Sequence, residues 1–179
     1  MIKEFSARVR PAGNKGKLIF TALMLVAASV VLVSMFLERY RGVVGLVGLI
    51  AIVIATWIYT KYVAVEYGYD VTFDPQGTPV FVVRQLIGKR QSTFSCVYLH
   101  DIVSVEMETR EQRRAKKPQN GIRRYIYLPT ILAPSSCRIT VKSRYEHAEI
   151  VIEVTEEFAS LLREYVSIAV AARAAEDED

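Results

Sequence analysis

Cysteine, histidine and tryptophan are scarce here: two, two and one among 179 residues. Cys96 and His100 are separated by three residues and Cys137 and His147 by nine, neither of which is a zinc-knuckle spacing, so no metal site is predicted. Two cysteines without a C-x-x-C give no disulfide framework. The expectation is reduced thiols buried in apolar strand patterns, although spacing leaves a Cys96–Cys137 bridge open. No G-x-S-x-G, no paired inward carboxylates and no glycine-rich phosphate loop are present. Gly42, Gly45 and Gly48 lie within or beside an apolar run, and Asp101 reads as a turn residue capping local N–H groups. The expectation is therefore a protein that is not an enzyme and has no cofactor.

Charge is missing from two long stretches, Leu18–Leu37 and Val43–Thr60. A run of roughly 18–20 apolar residues is what a helix needs to cross a ~30 Å hydrocarbon core. Lipid offers no partner to a free N–H or C=O, so both runs must be helical if they lie in a bilayer. The sequence predicts a transmembrane hairpin over 18–60, turned by Glu38-Arg39-Tyr40-Arg41-Gly42. Before it, residues 1–17 form a basic tail with Lys3, Arg8, Arg10, Lys15 and Lys17 against Glu4. Basic flanks stay on the cytoplasmic side, which places this tail and everything after Thr60 inside, at the plasma or inner membrane. A secretory signal peptide would have a shorter apolar region followed by a small-residue cleavage site. Gly45, Gly48 and Ala55 share a helical face and form a candidate helix–helix seam, with Ala22 and Ser29 as its counterpart. Trp57, Tyr59, Lys61 and Tyr62 form an interfacial cluster.

From Glu66 the apolar period becomes two. Strands are expected over 67–73, 80–85, 89–98, 102–110, 123–128, 137–142 and 148–154, with a proline turn at Asp74–Gly77 and a loop over Glu111–Gly121. In the fourth, Val103, Val105 and Met107 share one face, and Ser104, Glu106 and Glu108 the other. Thr155 is a plausible N-cap, and Phe158, Leu161, Leu162, Tyr165, Val166 and Ala169 give a helix over about 155–175 its apolar stripe. An acidic tail, 176–179, closes the chain. The fold class expected is α+β: the hairpin, then, in a domain spanning 61–175, a seven-stranded antiparallel, partly open barrel capped by a C-terminal helix.

The stretch Val80-Phe81-Val82-Val83-Arg84-Gln85-Leu86-Ile87-Gly88-Lys89-Arg90, followed by Leu99-His100-Asp101-Ile102-Val103-Ser104-Val105-Glu106, resembles bacterial membrane proteins with a pleckstrin-homology-like (PH-like) domain. The resemblance covers the hairpin and residues 66–170, and it implies a membrane-tethered scaffold. It does not carry phosphoinositide binding with it, because a fold does not fix a site.

The formal net charge is +4. Candidate contacts for anionic lipid or a partner are Lys89, Arg90, Arg110, Arg113, Arg114, Lys116, Lys117, Arg123 and Arg124, with Arg84 nearby in sequence. The alternative is a solvated loop. No nucleic-acid motif surrounds Tyr125 and Tyr127, so no nucleic-acid partner is expected. Two uses remain: an interaction module touching anionic headgroups, or a subunit of a membrane complex or homo-oligomer joined through the hairpin and a sheet edge.

Overall fold

The computed structural model describes residues 2–11, 14–36, 38–116, 121–143 and 147–176. They divide into two compact units, a helical one built on residues 11–65 with 129–131, and an α+β one built from residues 1–10, 66–128 and 132–179.

In the helical unit, α1 (Lys15–Phe36) and α2 (Arg41–Tyr62) pack antiparallel, joined by a 3₁₀ turn at Glu38–Tyr40. Both are long and apolar enough to cross a membrane, and only 11% of each span is buried within the structure. On α1 the covered positions are Gly16, Ile19, Phe20, Leu23, Ala27, Val30 and Ser34, and on α2 Val44, Gly45, Gly48, Ala51, Ala55, Ile58 and Tyr62. Ile19 and Gly45 apart, each series steps alternately by four and three, the 3.5-residue period of a left-handed helix pair. Gly48 admits the close approach, since a Cβ there would meet Val31 Cγ2 at 3.0 Å and Val30 Cγ1 at 3.5 Å.

The expected seam is therefore only partly used. Ala55 is fully buried and Gly48 is in it, but a Cβ on Gly45 would meet nothing within 4 Å. Ala22 and Ser29 face out, and Ala27 and Ser34 take their place. The buried small residues of α1 are also seven apart but in another phase, and what Gly48 itself faces is Val30, Val31 and the Ala27 carbonyl. Lys61 Nζ sits 5.2 Å from the Trp57 ring and 5.5 Å from the Tyr62 ring, while Tyr59 packs on Phe20 at 5.0 Å.

Gly48→Leu is accordingly expected to overpack the hairpin by about 1–3 kcal/mol, whereas Gly45→Leu should be near neutral. Denaturation of the detergent-solubilised chain, followed by Trp57 emission, compares the two. Equal midpoints would mean that Gly48 is not a packing contact.

The α+β unit holds eight described strands in two four-stranded sheets. One has the order β1-β2-β3-β4, from β1 (Phe5–Val9), β2 (Val65–Phe73), β3 (Pro79–Ile87) and β4 (Arg90–Tyr98). The other has the order β5-β7-β8-β6, from β5 (Ile102–Thr109), β6 (Arg123–Tyr127), β7 (Ser135–Lys142) and β8 (His147–Ile152). The two are separate sheets and not a closed barrel. The expected seven antiparallel strands are corrected in two ways.

First, β1 lies in the stretch read as a basic tail. Phe5, Ala7 and Val9 alternate with Ser6 and Arg8, and they pair antiparallel with β2 in the register Phe5↔Val71 to Val9↔Tyr67. Second, β6 pairs parallel with β8, Arg123↔Ala148 to Tyr127↔Ile152. The edge strands among the described residues are β1 and β4 in the first sheet and β5 and β6 in the second.

The inward residues follow the period of two. Cys137, Ile139 and Val141 on β7 and Ala148, Ile150 and Ile152 on β8 are buried, with Tyr69 and Phe81 from the first sheet and Leu99 from the 3₁₀ turn after β4. A bulge between Ile102 and Ser104 turns Val103 outward to 64% exposure, against the expected phase with Val105. The loop expected over 111–121 starts as α3 (Arg110–Ala115), opened by a capping box. Gln112 N donates to Thr109 Oγ1 at 3.3 Å, and Thr109 N donates to Gln112 Oε1 at 2.9 Å. Finally α4 (Glu156–Glu176) is capped as expected, with Phe158 N donating to Thr155 Oγ1 at 3.3 Å. Its stripe of Phe158, Leu162, Tyr165 and Ala169 is buried, and the helix packs on β5 and on the Leu99–Asp101 turn.

Candidate functional site

The basic set separates into two groups. Arg113 Nη1 donates to Ser136 Oγ at 2.8 Å and its Nη2 to Ala133 O at 2.9 Å. Lys116 pairs with Glu106 at 3.2 Å, on the exposed rim. Arg124 Nε meets Glu149 Oε2 at 2.7 Å, and its Nη2 is buried with no hydrogen-bond partner among the described residues. These cations are turned into the domain's own ion pairs and hydrogen bonds. Arg84 likewise pairs with Asp70 at 3.1 Å. Arg123, at the start of β6, is exposed and also has a partner. Lys89 and Arg90 at the β3–β4 turn, with Arg110 and Arg114 on α3, make no side-chain ion pair or hydrogen bond among the described residues. Lys117 lies outside the described residues.

Behind the inward-turned cations lies a buried charge ladder that the sequence reading missed. Arg138 Nη2 meets Glu108 Oε2 at 2.6 Å and its Nη1 meets Glu149 Oε1 at 3.3 Å, with all three side chains at most 7% exposed. Ser136 Oγ donates to Glu108 Oε1 at 3.3 Å. The register explains the row: Arg124 pairs with Glu149, Glu149 with Thr140, and Glu108 with Ser136. One face of the second sheet thus carries alternating charges across four strands. Glu108, expected on the face opposite Val105 and Met107, is buried there beside Ser136 and Arg138. The one signal in the sequence was a charge within each of two strands, Arg138 between Cys137 and Ile139 and Glu149 between Ala148 and Ile150. No spacing links them, because strand pairing sets their neighbours.

A second feature lies beside the edge strands β4 and β6. A cavity of about 410 Å³ is lined by Phe94, Cys96, Val97, Tyr98 and Asp101 on one side and by Tyr125, Tyr127, Val141, Ala148 and Ile150 on the other. Phe94 meets Tyr127 edge-on at 6.0 Å between ring centres, and Tyr125 lies parallel to Tyr127 at 6.4 Å. Burial raises the Tyr127 phenol above its ordinary range, so the ring stays neutral at physiological pH. Behind it, Tyr69 donates to Tyr127 O at 2.7 Å, and burial pushes the Tyr69 phenol far up. Both cysteines are free, and only Cys137 is buried; Cys96 is exposed on β4, against the expectation that both are buried. Among the described residues no cluster of three or more His, Cys, Asp or Glu is placed to hold a metal ion.

No family model, no curated protein and no solved structure matches this chain. What the structure itself defines is an α+β chain with two long apolar helices and two sheets rich in antiparallel pairing.

Proposed function

We propose that the chain is a non-enzymatic, membrane-anchored interaction module, with α1 and α2 crossing the bilayer as a hairpin and a PH-like domain on the cytoplasmic face. The observation that carries this is the pair of 22-residue helices whose apolar side chains are largely uncovered by the rest of the structure. Uncovered apolar surface on this scale needs an apolar solvent or partner. Orientation rests on Lys3, Arg8, Arg10, Lys15 and Lys17 before α1 against Arg39 and Arg41 in the turn. Strands followed by a C-terminal helix support the PH-like reading, and β1 and the parallel β6 depart from it.

Contact with anionic headgroups narrows to Lys89, Arg90, Arg110 and Arg114, the candidate cations that are not paired among the described residues. At about 1 kcal/mol for each cation near the surface, four give a few kcal/mol, enough to hold an anchored domain against the leaflet. The second reading, a subunit of a membrane complex, is favoured by the free edges of β4 and β6, which offer unpaired backbone groups to a partner.

Protease access to the full chain in sealed vesicles tests both parts. With the cytoplasmic face outward, trypsin is expected to cut after Lys89 and Arg90; with that face inward, those bonds should survive. Equal cutting in both orientations, or release of the protein by alkaline carbonate, would sink the anchor. Reconstitution in anionic instead of neutral lipid should slow the cut several-fold, and an equal rate would remove the lipid contact alone.

A further inference from the structure

A basin of about 280 Å³ crosses the four strands of the first sheet, wholly within the α+β unit. Ser6 and Arg8 of β1, Gly68 and Asp70 of β2, Arg84 of β3 and Gln91 of β4 line it. On β2, Gly68 and Asp70 alternate with the buried Tyr67 and Tyr69, so the basin is on the face turned away from those rings. The register Arg8↔Gly68 sets Arg8 opposite a residue without a side chain. From Gly68 a Cβ would meet Leu86 Cδ1 at 3.4 Å and Arg84 Cβ at 3.8 Å, so β3 supplies the far wall of the hollow.

The two arginines differ in what they already hold. Arg84 Nε meets Asp70 Oδ2 at 3.1 Å, and Asp70 Oδ1 accepts from Ser6 Oγ. Both oxygens of Asp70 are thereby occupied, and the guanidinium is fixed by one edge. Its Nη1 and Nη2 make no hydrogen bond or ion pair among the described residues, and the side chain is still 35% exposed. Arg8 is exposed and makes neither contact among the described residues. Glu4 also lines the basin, but its Oε1 accepts from Thr72 Oγ1 at 3.0 Å and it makes no ion pair with Arg8. Asp70 and Arg84 cancel in charge, and the donors left over are those of Arg8, the outer edge of Arg84 and the Gln91 amide.

We propose that this basin binds a phosphate monoester, gripped between Arg8 and Arg84 with Gln91 as a neutral donor. A guanidinium presents its N–H groups as a planar fork that matches two oxygens of an anion. One fork saturates a carboxylate, whereas a phosphate monoester has three terminal oxygens and can meet forks from two walls. Arg84 loses little freedom on binding, because Asp70 already holds it. The volume is near the lower end of small-molecule sites, roughly 300–1,000 Å³, which suits a small ester. The site needs no contribution from the two apolar helices, so it stands or falls separately from the membrane anchor.

The test uses the full chain in maltoside micelles, which carry neither phosphate nor charge, in phosphate-free buffer of fixed ionic strength. Glycerol 3-phosphate is titrated beside acetate, and binding is read by isothermal titration calorimetry. The phosphate ester is expected to saturate and acetate to bind about tenfold more weakly or not at all. Arg8→Gln and Arg84→Gln should each weaken the ester about tenfold. Lys142→Gln, the same loss of charge on β7, should stay near wild type. Because Arg84→Gln leaves Asp70 without its cation, thermal unfolding of each variant is followed by circular dichroism. If Arg84→Gln unfolds early, Arg8→Gln at its exposed, unpaired position carries the test.

No saturable binding, acetate binding as tightly as the ester, or Arg8→Gln binding like wild type would each overturn the proposal. So would an equal loss in Lys142→Gln, which would reduce the effect to overall charge. Repeating the titration in nanodiscs separates two sources of the group, with phosphatidic acid compared against phosphatidylserine at matched surface charge. Weaker apparent binding of the ester beside phosphatidic acid identifies a lipid phosphate as the occupant, and equal binding in both identifies a dissolved ester.

Discussion

Arg138→Leu is expected to be the most destabilising single change in the α+β unit, at about 3–5 kcal/mol. It removes the cation shared by Glu108 and Glu149, whose side chains are 3% and 7% exposed, and leaves Glu108 with only Ser136 among the charge ladder's groups. A carboxylate kept from water without a cation is costly, whereas removing both members of a pair is much less so. Domains of this size are stable by only about 5–15 kcal/mol, so the loss takes a large share of the total. Arg138→Leu combined with Glu108→Leu should therefore be more stable than Arg138→Leu alone. Denaturant titration of the detergent-solubilised chain, with far-ultraviolet circular dichroism as the readout, measures both. A cost below about 1 kcal/mol for the single variant would show that the ladder is solvated. Lys116→Gln on the exposed Glu106 pair serves as the comparison and should change little.

The second large effect concerns the two thiols. Cys137 has no exposed surface, and burial pushes its thiol up to about 12. The nucleophile is the thiolate, so at pH 8 Cys137 is protected both by access and by ionisation. Cys96 is exposed, and its thiol is raised, first by partial burial and then by Asp74, with Arg84 acting in the opposite sense. Labelling of the native protein should modify one thiol per chain, with Cys137 slower by on the order of a thousandfold or more and reacting only when the sheet opens. Two thiols labelled at equal rates would show that β7 is not buried.

The same burial sets an alkaline limit to stability. A group whose pKa is higher folded than unfolded favours the folded state below its unfolded value, and that advantage is lost as pH rises toward the folded value. For Cys137 the window runs from about 9 to about 12, at roughly 1.4 kcal/mol per pH unit. Tyr69, also raised by burial, adds to the slope in the same direction at higher pH. Cys137→Ala should flatten the first part of that decline.

Much of this architecture was legible in the residues alone. Leu18–Leu37 and Val43–Thr60 announce two helices because a helix satisfies its own backbone hydrogen bonds whatever surrounds its apolar side chains. The alternation at 137–142 and the stripe from Phe158 to Ala169 name the inward face of β7 and the covered face of α4, since period alone decides which side chains point together. Two local signals were present and passed over, the alternation of Phe5, Ala7 and Val9 beneath three nearby basic residues and the capping box from Thr109 to Gln112.

The candidate sites are different in kind. Glu108, Arg138, Glu149 and Arg124 come from four strands, and Phe94, Tyr98, Tyr125 and Tyr127 line one cavity from β4 and β6. The sequence by itself determined which segments are apolar helices, which are strands, and which way most side chains face, because those follow from residue type and spacing within one segment. Only the tertiary structure decided that Arg113 and Arg124 turn inward, that β6 runs parallel to β8, and that a cavity opens beside β4. Each of these depends on pairing between residues distant in the chain, and that pairing is chosen by the joint packing of both sheets and not by any local preference.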